Sequence, residues 1–285
     1  MTIAATFLPR TAPSPLPPIA FVGGGNMASA IIGGLIQQGT PAGTFEVVEP
    51  FEEARAKLAK SFGISARAEA GEALSRCAVV VWAVKPQTFA EAARAMRPFA
   101  ASALHLSVAA GIPSDSIARW LGSERVVRAM PNTPALVGQG MTGLYARDGV
   151  EAADRALVAQ LLAPTGELLW VDHESALDAV TAMSGSGPAY VFYFIEAMAE
   201  AGVDMGLSPE QALRLAIGTF TGASALAHSA TEPPQVLRER VTSKGGTTYA
   251  ALCALEAADV KAKFKEAIRA AQKRAGELGE EFGKT

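Results

Sequence analysis

Two glycine-centred stretches of this chain carry the residue types that bind anions through the backbone. Gly23-Gly24-Gly25-Asn26-Met27-Ala28 fits G-x-G-x-x-A, follows an apolar run and opens a helical pattern. In that setting the first glycine permits a tight turn, Gly25 lets the backbone approach a pyrophosphate, and Ala28 lets the helix pack closely on the strand. Free amides at the helix start, at the positive end of its dipole, favour a phosphate. The second stretch is Ser243-Lys244-Gly245-Gly246-Thr247-Thr248, just before the apolar helical run Tyr249-Ala-Ala-Leu-Cys-Ala-Leu-Glu. Its glycines bring amides close to a ligand, its threonines add hydroxyl donors, and the helix dipole again favours negative charge. A small carboxylate fits such a nest. The plainer alternative is an ordinary Gly-Gly break with Thr247 or Thr248 capping the next helix. Lys244 either adds positive charge or points to solvent.

Other residues fall where a dinucleotide site needs them. Glu49 ends the second apolar run, about where an acidic residue meets an adenosine ribose in this kind of site. A carboxylate there repels a 2′-phosphate, so the spacing leans to NADH; the alternative is a solvated carboxylate at a strand end. No arginine follows closely in sequence; the next is Arg55, six residues on. Ala83-Val84-Lys85-Pro86 closes the third run, and ligands collect at the carboxyl ends of strands in doubly wound sheets. Pro86 suits the first position of a helix. Lys85 either meets the cofactor or is a surface lysine. Ser184-Gly-Ser-Gly-Pro-Ala-Tyr190 is either a further nest or a close helix contact at a dimer seam.

The elements that position these residues follow from periodicity. Strands are expected over 19–23, 45–49, 77–84, 103–109, 125–130, 141–146 and 168–171, with helices over 26–38, 51–61 and 87–98. Strands alternating with helices imply βαβ units and a mostly parallel sheet, and the continuous apolar runs suit strands buried on both faces. After residue 171 the pattern is helical, with breaks at 185–188, 206–209, 233–234 and 245–246. Ser208, Pro209 and Gln211 form a helix start with a capping box, opening a helix of about twenty residues. The fold class is α/β: an N-terminal Rossmann-type doubly wound sheet over 19–172, then an all-α half over 173–285, with residues 1–18 as a flexible, partly extended leader.

Composition narrows the function. The chain has 285 residues, 49% hydrophobic and 19% charged, with net charge −3. Its basic residues form no cluster, which argues against a nucleic-acid partner. No run is long and apolar enough for a membrane span, and residues 1–18 lack the pattern of a secretory signal. Cys77 and Cys253 suggest buried thiols in a reducing compartment, so the expected location is cytoplasmic. Together with His105, His173 and His228, they have no zinc-like spacing, and no metal is expected.

Taken together, FVGGGNMASAIIGGL, AVKPQ, RAMPNTP, LDAVTAMSGSGPAYVFYFIEAMAEAG, VTSKGGTTYAAL and ALEAADVKAKFKEAIRAAQKRAGEL resemble the pyrroline-5-carboxylate reductase family from about residue 19 to 278. The resemblance implies a cofactor domain binding NAD(P)H and a helical domain that dimerises by interlocking long helices, with dimers often stacked into decamers. It places Gly23 to Ala28 and Ala83 to Pro86 on the cofactor, and Ala109, Ala110 and Asn132 near the nicotinamide half. It places a cyclic imino acid's carboxylate on Ser243 and Gly245 to Thr248, with the Thr248 hydroxyl as a catalytic contact, and Glu174 near the site. Some members have proline at the position of Lys244. Many carry a cofactor-contacting asparagine near Ala70, where only backbone can serve here.

The implied chemistry is hydride transfer to a protonated C=N carbon. Such a reduction leaves no alkoxide to protonate, in keeping with histidines that lie outside both glycine stretches. Thr248 would hold the ring nitrogen or carboxylate. Glu174 would either favour the iminium or cap a helix start. Two rivals are a 3-hydroxyacid-type NAD(P)-dependent dehydrogenase, with Lys244 as its lysine, and a non-catalytic NAD(P)-binding sensor on the same fold.

Overall fold

The computed structural model describes residues 15–283; most of the expected leader lies outside them. Seven strands form one sheet in the order β2-β1-β3-β4-β5-β6-β7. They are β1 (Ile19–Val22), β2 (Phe45–Val48), β3 (Val79–Trp82), β4 (Leu104–Ser107), β5 (Val126–Met130), β6 (Gly140–Ala146) and β7 (Gly166–Trp170). Strands β1 to β5 are mutually parallel; β6 runs antiparallel to β5, and β7 parallel to β6. The mostly parallel sheet expected from the alternation is therefore present.

The strand runs are apolar on both sides because both faces are covered. Ile19, Phe21, Val79, Val81, Leu104 and Leu106 pack with Ile31, Ile32 and Leu35 of α1 (Asn26–Gln37), Leu58 of α2 (Glu52–Phe62) and Val158 and Leu161 of α5 (Ala152–Leu162). Ala20, Val22, Val80, Trp82 and Val126 face the other way, onto Phe89, Ala93 and Met96 of α3 (Pro86–Ala100) and Ile117 and Leu121 of α4 (Ser114–Leu121). The helices over 114–121 and 152–162 were not among the expected elements. The first is only 8 residues long, and the second starts at a reciprocal Glu151–Asp154 capping box.

Among the described residues after 171, every regular element is a helix. They are α6 (Ala176–Val180), α7 (Gly187–Asp204), α8 (Pro209–Ser229), α9 (Pro234–Arg240), α10 (Thr247–Ala257) and α11 (Val260–Gly283). Three of the expected breaks are the starts of α8, α9 and α10. At α8, Ser208 Oγ accepts from Gln211 N at 3.2 Å while Gln211 Oε1 accepts from Ser208 N at 3.0 Å. The fourth break differs. Residues Thr181–Gly185 are a π turn that joins α6 to α7, closed by Ser186 N donating to Thr181 O at 2.8 Å. Small residues and Pro188 widen the helix there without stopping it. Helices α7 and α8 form a hairpin whose apolar side chains are largely uncovered; Phe192, Tyr193, Leu215 and Leu226 are each more than half exposed. The C-terminal end of α11 returns to the first half, where Phe282 packs beside the α3–α4 layer.

Candidate active site

The parallel register aligns the carboxyl ends of five strands. Val22 pairs with Val48 and Trp82, Trp82 with Ser107, and Ser107 with Arg128. The loops that follow, carrying Gly23 to Ala28, Glu49, Ala83 to Pro86, Ala109-Ala110 and Asn132, therefore share one edge. The order reverses at β1, between β2 and β3, which is where a doubly wound sheet opens a crevice.

The turn after β1 is shaped by its glycines. Gly23 has φ +94°, and a Cβ there would stand 2.5 Å from the carbonyl oxygen of Ala83. Only glycine lets the two loops on either side of the switch point meet so closely. Gly25 is exposed, and a Cβ on it would meet nothing within 4 Å, so the turn is open on the side where a ligand enters. Gly25 is the N-cap of α1 and uses no side chain to satisfy the helix's first amides. Ala28 is fully buried against the sheet. Asn26 is exposed and Met27 half-buried at the same helix start. Tight turn, free amides and open approach together fit a dinucleotide pyrophosphate.

Glu49 is 6% exposed, and both carboxylate oxygens are held: Oε2 accepts from Gly24 N at 2.7 Å and Oε1 from Phe51 N at 2.9 Å. It braces the turn from below, so it is not the freely solvated strand-end carboxylate of the alternative reading. Arg55, remote in sequence, is brought back by the first turn of α2. Its Nη1 donates to the carbonyls of Glu49 at 2.9 Å and Pro50 at 2.7 Å. Lys85 is the exposed residue before α3, with Pro86 at the helix start; Ala83 and Val84 lie half-buried against the turn. Ala109 N donates to Ser107 Oγ at 3.3 Å, and Ala110 is exposed beside it.

Asn132 ties the two halves together. Its Nδ2 donates to Ser184 O at 3.0 Å, and its Oδ1 accepts from Met141 N at 2.9 Å. It lines a cavity of about 540 Å³ with Pro134, Ser184, Gly187, Tyr190 and Phe264. The Ser184–Tyr190 stretch, left open between a nest and a dimer seam, makes one contact to the strand-end loop within the chain: the Ser184 carbonyl accepts from Asn132.

The second anion stretch is pre-shaped by its own backbone. Gly245 has φ +75°, Gly246 N donates to Ser243 O at 3.0 Å, and Gly246 is the N-cap of α10. Neither threonine caps the helix, and among the described residues the Thr247 and Thr248 hydroxyls make no hydrogen bond. The hydrogen bonds of 243–248 stay within the loop and its own helix, and Lys244 is exposed. Within one chain, no hydrogen bond joins this loop to the Gly23–Ala28 turn or to Asn132.

Glu174 is held by three hydrogen bonds. Its Oε1 accepts from Arg128 Nη1 at 2.5 Å and from Ser114 N at 2.6 Å, and its Oε2 accepts from Ser114 Oγ at 2.5 Å. Both oxygens are engaged, and the negative charge is paired. The carboxylate does cap a helix start, but that of α4 and not of its own helix. Among the described residues no group of histidine, cysteine, aspartate and glutamate could hold a metal ion, and no helix is long and apolar enough to cross a membrane.

A doubly wound sheet with an open glycine turn, followed by a helical half, is the architecture of a dinucleotide-binding protein. Comparison with known proteins resolves which. Residues 174–278 match a family model described as pyrroline-5-carboxylate reductase dimerisation, and residues 18–111 one described as NADP oxidoreductase, coenzyme F420-dependent. The chain is 47% identical over 269 residues to a pyrroline-5-carboxylate reductase of Pseudomonas aeruginosa, covering 94% of this chain and 98% of that one. It is 37% identical to one from Arabidopsis thaliana, covering 92% and 95%. Solved structures agree: the Coxiella burnetii reductase superposes with TM-score 0.86 at 35% identity over 92% of this chain and 98% of that one. The Plasmodium falciparum enzyme, solved with NADP bound, superposes with TM-score 0.82 at 29% identity over the same shares. The chain belongs to the pyrroline-5-carboxylate reductase family.

Proposed function

We propose that this protein reduces 1-pyrroline-5-carboxylate to L-proline, the last step of proline biosynthesis, with hydride from NAD(P)H. The observation that carries the proposal is the pairing of an open dinucleotide turn with a separate glycine-threonine nest whose hydroxyls are uncommitted. Gly23 to Ala28 would hold the pyrophosphate, with Ala83 to Pro86, Ala109, Ala110 and Asn132 along the rest of the cofactor. Bound there, the nicotinamide supplies the hydride. The amides of Gly245 to Thr248 and the Ser243 and Thr248 hydroxyls would take the substrate carboxylate and ring nitrogen. A protonated cyclic imine is already electrophilic, so the chain's task is orientation, which supplies up to about 7–11 kcal/mol. We assign no proton-transfer role to a side chain: Glu174 is paired, and His105 is buried in the sheet.

The nest and the turn make no hydrogen bond in one chain, and α7 and α8 expose apolar faces. Both facts support a dimer in which the partner's nest meets this chain's cofactor edge. The uncovered side chains of α8 leave surface for the decamer implied by the resemblance. Glu49, braced and directed at the turn with Glu52 and Glu53 close by in sequence, supports a preference for NADH. Cys77 is buried as expected while Cys253 is exposed in the single chain, and the scarcity of cysteine supports a reducing, cytoplasmic setting.

The test is to follow NADH and NADPH absorbance with racemic pyrroline-5-carboxylate, using 3-hydroxyisobutyrate with the oxidised cofactors as the competing substrate. Oxidation of the reduced cofactor by the imine alone supports the proposal. Turnover of the hydroxyacid, or none with either substrate, would replace it with the dehydrogenase or the sensor.

A further inference from the structure

The segment from Glu174 to Gly185 is fastened at both ends to one strand. At its foot is the Arg128–Glu174 pair, with Arg128 12% and Glu174 25% exposed. Ser114, at the start of α4, holds the same carboxylate through its amide and its hydroxyl. At its head, Ser184 O accepts from Asn132 Nδ2. Gly185 lies against Met130, where an added Cβ would come within 2.6 Å of Met130 Cε. Arg128 and Met130 are both on β5, and Asn132 follows directly. That strand is held by β4 on one side and β6 on the other.

Between the two fastenings lies the π turn. Thr181 Oγ1 donates to Leu177 O at 2.7 Å and Ser184 Oγ to Val180 O at 3.0 Å, so the turn satisfies its own carbonyls with side chains. Winding a π turn back to an ordinary helix replaces its i→i+5 bond by an i→i+4 one. Doing so would rotate Ser184 and everything after it relative to α6. Fixing both ends against β5 prevents that rotation.

We propose that the Arg128–Glu174 pair is a positioning element for hydride transfer. It acts through the π turn and Asn132 to fix where the helical half stands relative to the cofactor edge. The proposal rests on reading the protein as an imine reductase. Neither residue is placed on substrate or cofactor. Losing the pair should misplace the two halves and lower turnover, while the turn and the nest keep their own affinities.

The test uses the full-length assembled enzyme with Arg128→Met, which keeps much of the stem and removes the charge. The expected result is a fall in kcat of about tenfold or more, with the KM for the imine and the Kd for NADH within about threefold of wild type. Amide exchange over 181–186 in the cofactor-bound protein should rise about tenfold, with β1 to β4 protected as before. Arg128→Lys, which restores the charge without the planar fork, should recover part of kcat. Unchanged kcat or unchanged exchange at 181–186 would overturn the proposal. So would a kcat loss matched by lost NADH affinity and lost protection across β1 to β4. Should Arg128→Met not fold, Glu174→Gln, which keeps an acceptor for Ser114, is judged by the same criteria. If the wild type reduces no imine, the functional reading fails, and the exchange result alone decides whether the pair holds the turn.

Discussion

Glu49 reaches back across 25 residues to accept the Gly24 amide at 2.7 Å. The acidic residue at the end of β2 is thus part of the turn it would share with a cofactor. On the proposed reading its charge stands beside the adenosine ribose, where it would repel a 2′-phosphate. Arg55 stands on the same loop, its Nη1 donating to the main-chain carbonyls of Glu49 and Pro50.

Glu49→Ser should therefore shift the ratio of kcat/KM for NADPH over NADH upward by about tenfold, equivalent to about 1.4 kcal/mol. The ratio is the measurement, because loss of the Gly24 brace will weaken both cofactors. A wild-type enzyme that strongly prefers NADPH would refute this account of Glu49.

Gly23→Ala tests the contact across the switch point. Alanine at φ +94° is strained, and its Cβ would meet the Ala83 carbonyl at 2.5 Å. A loss of stability on the order of 1–3 kcal/mol is expected, with weaker NADH binding. Thermal melting and a fluorescence titration measure the two effects, and wild-type values in both would mean that the turn is built differently.

Thr248→Ala should lower kcat/KM for pyrroline-5-carboxylate by about tenfold or more while NADH affinity stays near wild type. Steady-state kinetics and NADH titration separate the two, and intact kinetics would remove Thr248 from the site.

Mixing chains tests whether the nest acts across a dimer. A preparation of Gly23→Ala refolded with Thr248→Ala should regain up to about a quarter of wild-type activity, because half of random dimers are hybrid and each hybrid has one whole site. No recovery in demonstrated hybrids would place turn and nest in the same chain's site.

His105 predicts an acid limb of stability. Its Nδ1 accepts from Trp82 Nε1 at 3.3 Å and its Nε2 has no partner, and burial, with a smaller effect from Arg125, pushes its pKa down to about 4. Above about pH 6.5 the ring is neutral in both folded and unfolded chains and costs nothing. As pH falls from 6.5 to 4, the unfolded chain takes a proton that the native one refuses, so stability drops by on the order of 3 kcal/mol. His105→Asn keeps an acceptor for Trp82 and should flatten this part of the curve in urea titrations. An unchanged pH slope would assign the acid loss to other groups.

Local signals made much of this legible. The β1–α1 turn was readable because strand, glycines and helix are contiguous, and the α8 start because Ser208 and Gln211 cap each other at three residues' distance. The nest was visible as a shape, but its relation to the turn was not, since spacing does not say how two distant loops meet. Arg55 was counted as distant from Glu49 when one turn of helix brings it back. The contacts of Glu174 were hidden for a related reason. Its partners Ser114 and Arg128 lie 60 and 46 residues away, and such pairings have no periodic signature. The π turn read as a break because glycine and proline mark a widened helix and a stopped one alike.

The bare apolar sides of α7 and α8 make the lone chain a poor end state in water. Folding and assembly should then obey mass action together, with the melting midpoint climbing as the protein is concentrated and catalysis fading on extreme dilution.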